Sequence, residues 1–453
     1  MKKVYLETFG CQMNVSDSER VATRLVADGF EITADEAAAD VVLINTCSVR
    51  EKAEHKLYTR IGQIRKAERD NITSKNKNGR IIGVLGCVAQ LEGETLFTGR
   101  NEIDFVLGTK AVGRVSEAIE KVSGGEKNYF DLGTREENYD WSVAEAQRHS
   151  PVVAFVPIIE GCNKFCTYCI VPFSRGREKS LTATEIIRQI LSLRRQGVRE
   201  IHLIGQNVNS YRPPTDSGLE KFSGATPFSR LLRAVAATGI ERIKFNTSFP
   251  RDFHTDIVEA INEHENLCNW VHLPVQSGSN AVLKAMRRGH TIESYLEKID
   301  NIKSSPKKLA LTTDIIIGFP NETDQDFQAT LKMADVCKFD SAYIFKYSPR
   351  PGTPAFALTD NVSEKVKTER FLELEKLIRC NQRNIFELYL NRTVEVLVEK
   401  VSNKDKAELS GHTTCQKVVN FKSSSELLGQ IVRVKITETK TNTLYGELAG
   451  KVC

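Results

Sequence analysis

The stretch EGCNKFCTYCIVPF sets Cys162, Cys166 and Cys169 in a C-x3-C-x2-C arrangement, directly after the apolar run VVAFVPII. Three thiolates clustered on one loop suit a soft metal centre. A structural zinc ion wants four ligands, usually from two C-x2-C pairs, and no fourth cysteine or histidine lies nearby. Three thiolates can instead hold a cubane iron–sulfur cluster, with one iron left open to a substrate or cofactor.

Three further cysteines occur singly: Cys11 in TFGCQMNVSDSE, Cys47 in INTCSVRE and Cys87 in VLGCVAQLEGE. Each follows an apolar strand pattern and precedes a helical one. In a parallel sheet the strand C-termini share the edge where ligands bind, so distant residues can meet there. Helix N-termini aimed at that edge favour thiolate over thiol. One such cysteine would read as a buried core residue. Three at equivalent positions read as a second three-thiolate cluster site. Cys268, Cys337, Cys380, Cys415 and Cys453 follow no pattern and read as small apolar residues or incidental surface thiols.

Positioning six cysteines takes several blocks of chain. Residues 1–120 alternate β-branched runs (VYLETF, DVVLINT, RIIGVLG) with helical stretches, the pattern of a doubly wound parallel sheet. Ser16 and Asp17 are expected N-caps of the first helix. Residues 121–148 are polar and read as a linker. Residues 149–380 hold six strand–helix units, a partial (βα)6 barrel with functional residues at strand C-termini. The stretch 211–228 is too long and polar for an ordinary loop and reads as a lid, a substrate loop or a disordered insertion. Residues 381–453 finish a helix and then alternate as a small antiparallel β-barrel.

With 40% hydrophobic and 27% charged residues over 453 positions, the chain is an ordinary globular protein. It has no apolar run of bilayer length and no signal-peptide pattern, so a cytoplasmic location is expected. That compartment keeps thiols reduced, which turns eleven cysteines toward metal or redox chemistry. The net charge of +5 permits an RNA partner without requiring one.

The Cys162–Cys166–Cys169 stretch resembles the cluster loop of radical S-adenosylmethionine enzymes. The resemblance implies that Tyr168 lies against the adenine and that the open iron chelates the methionyl amine and carboxylate. Gly205, Gln206 and Asn207 after the second strand, Thr247 and Ser248 after the third, Gln276 after the fourth, and Gly318 and Glu322 in DIIIGFPNET would complete the cofactor site. Taken singly, each is ordinary turn chemistry. Arg175 and Arg177 in PFSRGRE suit a phosphate or carboxylate, with solvated surface charge as the alternative.

GCQMNVSDSE, NTCSVREKA and GCVAQLEGE, with KFNTSFP, HLPVQSGSN and YSPRPGTPA, resemble the methylthiotransferase family over nearly the whole chain. GCQMN and TCSVREKA are most similar to the branch acting on prenylated adenosine beside the tRNA anticodon. The resemblance implies two [4Fe-4S] clusters, two S-adenosylmethionine molecules and an external one-electron donor, and the features of the chain suggest a monomer. A sulfur at the Cys11, Cys47 and Cys87 cluster would be methylated, and a radical made at the other cluster would take the C2 hydrogen. An aromatic C–H of that kind has no acidic proton to exploit, so a radical route makes chemical sense. The alternatives are a threonylcarbamoyl-modified adenosine, a ribosomal-protein aspartate, or a non-catalytic iron–sulfur RNA-binding scaffold.

The C-terminal block resembles the TRAM RNA-binding domain. Lys417, Phe421, Arg433 and Lys435 are candidates for RNA backbone contact or stacking. His412 and Gln416 stand where relatives commonly carry Arg and Asn, which puts one RNA contact in question. A barrel that packs against protein is the other reading.

Overall fold

A computed structural model describes residues 1–48, 51–70, 79–98, 102–133, 143–402 and 405–451. Cys453 lies outside these residues, as do residues 134–142 of the expected linker. The chain forms two compact units. One comprises 1–149 with 160–163 and 169–178; the other comprises 150–159, 164–168 and 179–453.

The first unit is built on a sheet of six parallel strands: β1 (Lys3–Phe9), β2 (Glu31–Ile32), β3 (Val41–Thr46), β4 (Ile81–Gly86), β5 (Phe105–Leu107) and β6 (Tyr129–Asp131), in the order β2-β1-β3-β4-β5-β6. The two-residue side-chain period divides β3 cleanly. Val41 and Leu43 pack with Val21 and Leu25 of the helix Gln12–Ala27. Val42 and Ile44 pack with Leu57, Ile61 and Ile64 of the helix Glu51–Asp70. Burial on both faces is why this strand reads as an unbroken apolar run.

Two expectations change here. The segment from 121 is not a linker throughout, because Val115–Ser123 is a helix and Tyr129–Asp131 adds the sixth strand. Ser16 and Asp17 do not cap the first helix, which begins at Gln12 with Cys11 in the N-cap position. Asp17 instead turns to Arg175.

The second unit contains six parallel strands in two runs. β7 (Val153–Pro157), β8 (Glu200–Ile204) and β9 (Arg242–Phe245) form one sheet; β10 (Trp270–His272), β11 (Ala310–Ile317) and β12 (Ser341–Lys346) form the other. A parallel bridge between Ile243 and Leu267 joins the runs. Among the described residues β7 and β12 share no ladder, so the barrel is partial and open. Its helices bury an apolar layer including Ile186, Ile190, Leu231, Ile257 and Ile299. The 211–228 stretch is anchored: Tyr211 Oη donates to the Leu181 carbonyl (2.8 Å), Leu219 is fully buried, and Arg230 holds the carbonyls of Leu219 and Phe222. That anchoring rules out a disordered insertion.

The C-terminal barrel closes through β13 (Thr393–Val401), β14 (Glu408–His412), β15 (Val418–Lys422), β16 (Ile431–Thr439) and β17 (Leu444–Lys451). It is not wholly antiparallel, since β15 and β17 pair in parallel. The strand β14 escapes the sequence pattern because ELSGH is small and polar. Gly411 is needed there, as a Cβ would sit 2.0 Å from the Leu397 carbonyl oxygen.

The turn after β14 docks on the N-terminal ends of the central strands. Arg242 Nη1 donates to the His412 carbonyl (3.0 Å), Lys417 Nζ reaches Asp340 Oδ1 (2.5 Å), Lys244 bonds the Gln416 amide, and Cys415 packs with Trp270 and Ala310. His412 Nε2 lies 2.9 Å from Glu200 Oε1, which also meets His202 Nε2 at 2.6 Å, and Glu399 pairs with His412 Nδ1. The two imidazole nitrogens and the Glu200 oxygen lie within 4.8 Å of one another, as metal ligands do. Arg242, 4.0 Å from Glu200, and Lys244 already supply positive charge, so an ion-pair seam is the fitting description. Its His412 and Gln416 are thus docking residues.

This seam predicts a two-sided pH dependence. Burial opposes the charged form of His412, but Glu200 and Glu399 raise its pKa to about 9. Its stabilisation is complete below an ordinary histidine pKa of about 6.5 and is lost as pH rises through 9. Burial, with Lys244, lowers His202 to about 4, so its stabilisation is lost as pH falls below 6.5 toward 4. Urea midpoints should therefore peak near neutral pH. His412→Gln should flatten the alkaline limb, and an unchanged alkaline limb would refute the role.

Candidate functional site

The sheet of the first unit brings Cys11, Cys47 and Cys87 to one edge. β1, β3 and β4 are neighbours with level C-termini, Phe9 pairing with Thr46 and Thr46 with Gly86. Each cysteine lies one or two residues beyond that line. Cys11 sits at the N-cap of one helix and Cys87 is the first residue of another. Space is kept by two glycines with positive φ. At Gly10 a Cβ would fall 2.5 Å from the Cys47 Cβ, and at Gly86 it would fall 2.2 Å from Asn45 Oδ1.

Polar groups fix this edge. Asn14 Nδ2 donates to Asn45 Oδ1 (3.1 Å), and Asn45 Nδ2 donates to the Asn14 carbonyl and Ser18 Oγ (both 2.9 Å). Arg175 is buried, donating to Asp17 Oδ2 (2.6 Å) and facing Glu160 Oε1 (3.3 Å). Its guanidinium also hydrogen-bonds Cys87. A hydrogen bond from Cys47 lowers the Cys11 pKa to about 6 against burial, with help from the Arg175 charge, which favours the thiolate. Burial raises the Cys87 thiol, and Arg175 pulls it back. Three sulfurs, cleared space and one buried cation fit a cluster of net negative charge.

Cys162, Cys166 and Cys169 share the loop beyond β7. In the second unit Thr167 ties its part of the loop down: its N–H donates to the Met286 carbonyl (3.1 Å), its Oγ1 to that of Ala285 (2.9 Å), and its own carbonyl accepts from Ala355. Arg288 Nη1 lies 3.5 Å from both Cys166 Sγ and Tyr168 Oη, its Nη2 holds the Pro274 carbonyl (2.7 Å), and its Cζ lies 4.2 Å from the centre of the Phe249 ring. The sequence reading missed Arg288, whose only signal was charge within MRRGH.

The expected cofactor residues divide into two groups. Thr247 and Gln276 have φ of 66° and 76°, strained for non-glycine residues and characteristic of functional turns. Ser248 Oγ and Asn246 Oδ1, the latter unforeseen, are buried with no partner among the described residues, a fit to a polar ligand. Tyr168 packs near Met286 and Phe319, and Gln206 is half-buried after β8.

Four others are committed to backbone or packing. Asn207 Oδ1 accepts from the Phe249 N–H (3.0 Å), and Asn209 brackets the same residue, accepting from its N–H and donating to its carbonyl. A Cβ at Gly205 would meet Ile159 Cγ2 at 2.3 Å, so that glycine permits close strand approach. Glu322 accepts from the Gly318 N–H (3.1 Å) and pairs with Arg370 (2.7 Å). Its carboxylate thus shapes the Gly318 turn instead of facing a ligand.

The candidate RNA residues also divide. Arg175 is corrected to an internal ion pair. Phe421 is 1% exposed within the C-terminal barrel core, and Lys417 is buried on Asp340, so neither offers a surface to a base. Arg177, Arg433 and Lys435 are exposed; the last two alternate outward along β16 with the buried Val432, Val434 and Ile436. Among the other cysteines, Cys268, Cys337 and Cys415 are buried and Cys380 is exposed.

The chain matches the uncharacterized protein family UPF0004 over residues 3–108, the radical SAM superfamily over 156–334 and the TRAM domain over 387–449. It is 42% identical to a tRNA-2-methylthio-N(6)-dimethylallyladenosine synthase of Alkalilimnicola ehrlichii, covering 99% of this chain and 98% of that one. A protein of the same name from Solibacter usitatus is also 42% identical, covering 100% and 99%. Among solved structures, the radical S-adenosylmethionine methyltransferase TsrM from Kitasatospora setae shares the fold, with a TM-score of 0.55 at 12% identity over 78% of this chain and 74% of that one. No helix among the described residues is long and apolar enough to cross a membrane.

Proposed function

Because the chain belongs to the methylthiotransferase family of radical S-adenosylmethionine enzymes, alongside the tRNA-2-methylthio-N(6)-dimethylallyladenosine synthases, we propose that it adds a methylthio group to C2 of the prenylated adenosine next to the tRNA anticodon. The reading carries two [4Fe-4S] clusters, two S-adenosylmethionine molecules per product, an external electron donor, a cytoplasmic location and a monomeric enzyme. The observation that supports it best is the meeting of Cys11, Cys47 and Cys87 at three adjacent strand ends, in a chain that also carries the Cys162–Cys166–Cys169 loop.

When bound, the clusters would supply the electron for reductive cleavage of the sulfonium and a site for the sulfur to be transferred. The chain's own residues do the positioning. Arg175 balances thiolate charge beneath the first site, while Arg288 and Thr167 fix the second loop. Asn246 and Ser248 are the polar groups offered to S-adenosylmethionine, and Arg433 and Lys435 are offered to RNA phosphates.

The test is mass spectrometry of tRNA nucleosides from cells lacking this chain. The 2-methylthio form of the prenylated adenosine should vanish and the unmethylthiolated form accumulate. Unchanged 2-methylthio levels, with no redundant enzyme present, would refute the reading. Loss confined to a threonylcarbamoyl nucleoside would move the substrate to that branch.

A further inference from the structure

The inner face of the open barrel carries an aromatic wall. Leu311, Ile315 and Ile317 of β11 enter the core beneath the helices, as Ala342 and Ile344 of β12 partly do. The alternate residues therefore point the other way. Asp314 and Ile316 are in register with Tyr343 and Phe345. Tyr343 is 57% exposed and Phe345 41%, neighbours on one face of a strand at the open side. Single exposed aromatics need no explanation, but two side by side on an inward face do.

This wall is continuous with the cofactor loop, since Ile316 packs in one small cluster with Tyr168 and Phe319. Its foot is polar. The His272 ring meets Tyr343 edge-on at 6.2 Å and is stacked on Trp270 at 5.8 Å. His272 Nε2 lies 3.5 Å from Asp314 Oδ1, and the Asp314 carboxylate is part-exposed.

We propose that Tyr343, Phe345 and Asp314 read the N6-alkylated adenine itself. The aromatic faces take the branched alkenyl chain, and Asp314 accepts the single hydrogen left on N6. This inference rests on the reading of the substrate above and adds Tyr343 and Phe345 as the side chains that distinguish the prenylated base from plain adenine, with Asp314 orienting N6.

The test uses the cluster-loaded enzyme under anaerobic conditions and two anticodon stem-loop RNAs, identical except for the prenyl group. Wild-type enzyme should bind the prenylated RNA more tightly. Tyr343→Ala with Phe345→Ala should cut that preference by about tenfold or more, the scale of losing apolar pocket contact. Affinity for the unmodified RNA should stay within about twofold, since phosphate contacts carry it. Phe345→Leu, which keeps an apolar side chain, should retain an intermediate preference. If the double variant keeps the wild-type preference, or loses affinity for both RNAs alike, the inference fails while wild-type turnover of prenylated RNA leaves the functional reading standing. If sedimentation shows a dimer that the double variant breaks, the wall belongs to a second copy and the inference fails. Wild-type enzyme with neither preference nor product would overturn both.

Discussion

Replacing Arg175 with methionine is expected to destabilise the first unit by about 3–5 kcal/mol and to empty the site at Cys11, Cys47 and Cys87. Arg175 is 2% exposed, its partner Asp17 3% and Glu160 22%, so removing the guanidinium strands one deeply buried carboxylate and one largely buried. Burial alone would lower the Arg175 pKa, yet Asp17, Cys87 and Glu160 together hold it well above the ordinary value. The same cation favours the thiolate at Cys11, so the proposed cluster site would lose charge balance along with the fold. Denaturant midpoints and iron content check both effects. Arg177→Met, two residues away and exposed, should shift stability by less than about 0.5 kcal/mol. Adding Asp17→Asn and Glu160→Gln to Arg175→Met should recover much of the loss, because a pair removed whole costs less than a pair broken. Equal behaviour of the 175 and 177 variants would contradict the assignment.

The second large effect concerns metal content. Replacing Cys11, Cys47 and Cys87 together by alanine should leave about half the wild-type iron and sulfide after anaerobic reconstitution, since three thiolates anchor each cluster. Alanine removes every sulfur at that strand edge while leaving the two glycines and the Asn14–Asn45 pair. Wild-type iron in that variant would remove the second site from the account.

Much of this was readable in the residues. Strands β1, β3 and β4 are apolar runs closed by Gly or Thr, and placing a cysteine just past each needs only the parallel-sheet rule. The six-strand barrel followed from the same alternation. What escaped the sequence was partnership at long range. Arg175 and Asp17 are 158 positions apart, and a charge in PFSRGRE says nothing about burial. Phe421 and Arg433 both lie in period-two strands, but only closure of the barrel decides which face is inside. The short ELSGH strand has too little apolar surface to announce itself. Glu322 reads as a ligand contact in the sequence because nothing local reveals Arg370 across the turn. Thr247 and Gln276 show no sign in the sequence of their left-handed backbones.

We propose that one chain holds two three-thiolate sites with separate tasks. The most direct measurement is the product pattern of the Cys11→Ala, Cys47→Ala, Cys87→Ala variant, supplied with S-adenosylmethionine, a reductant and prenylated RNA. In that variant 5′-deoxyadenosine should still form while no 2-methylthio nucleoside appears. Methylthiolated RNA from that variant would contradict it.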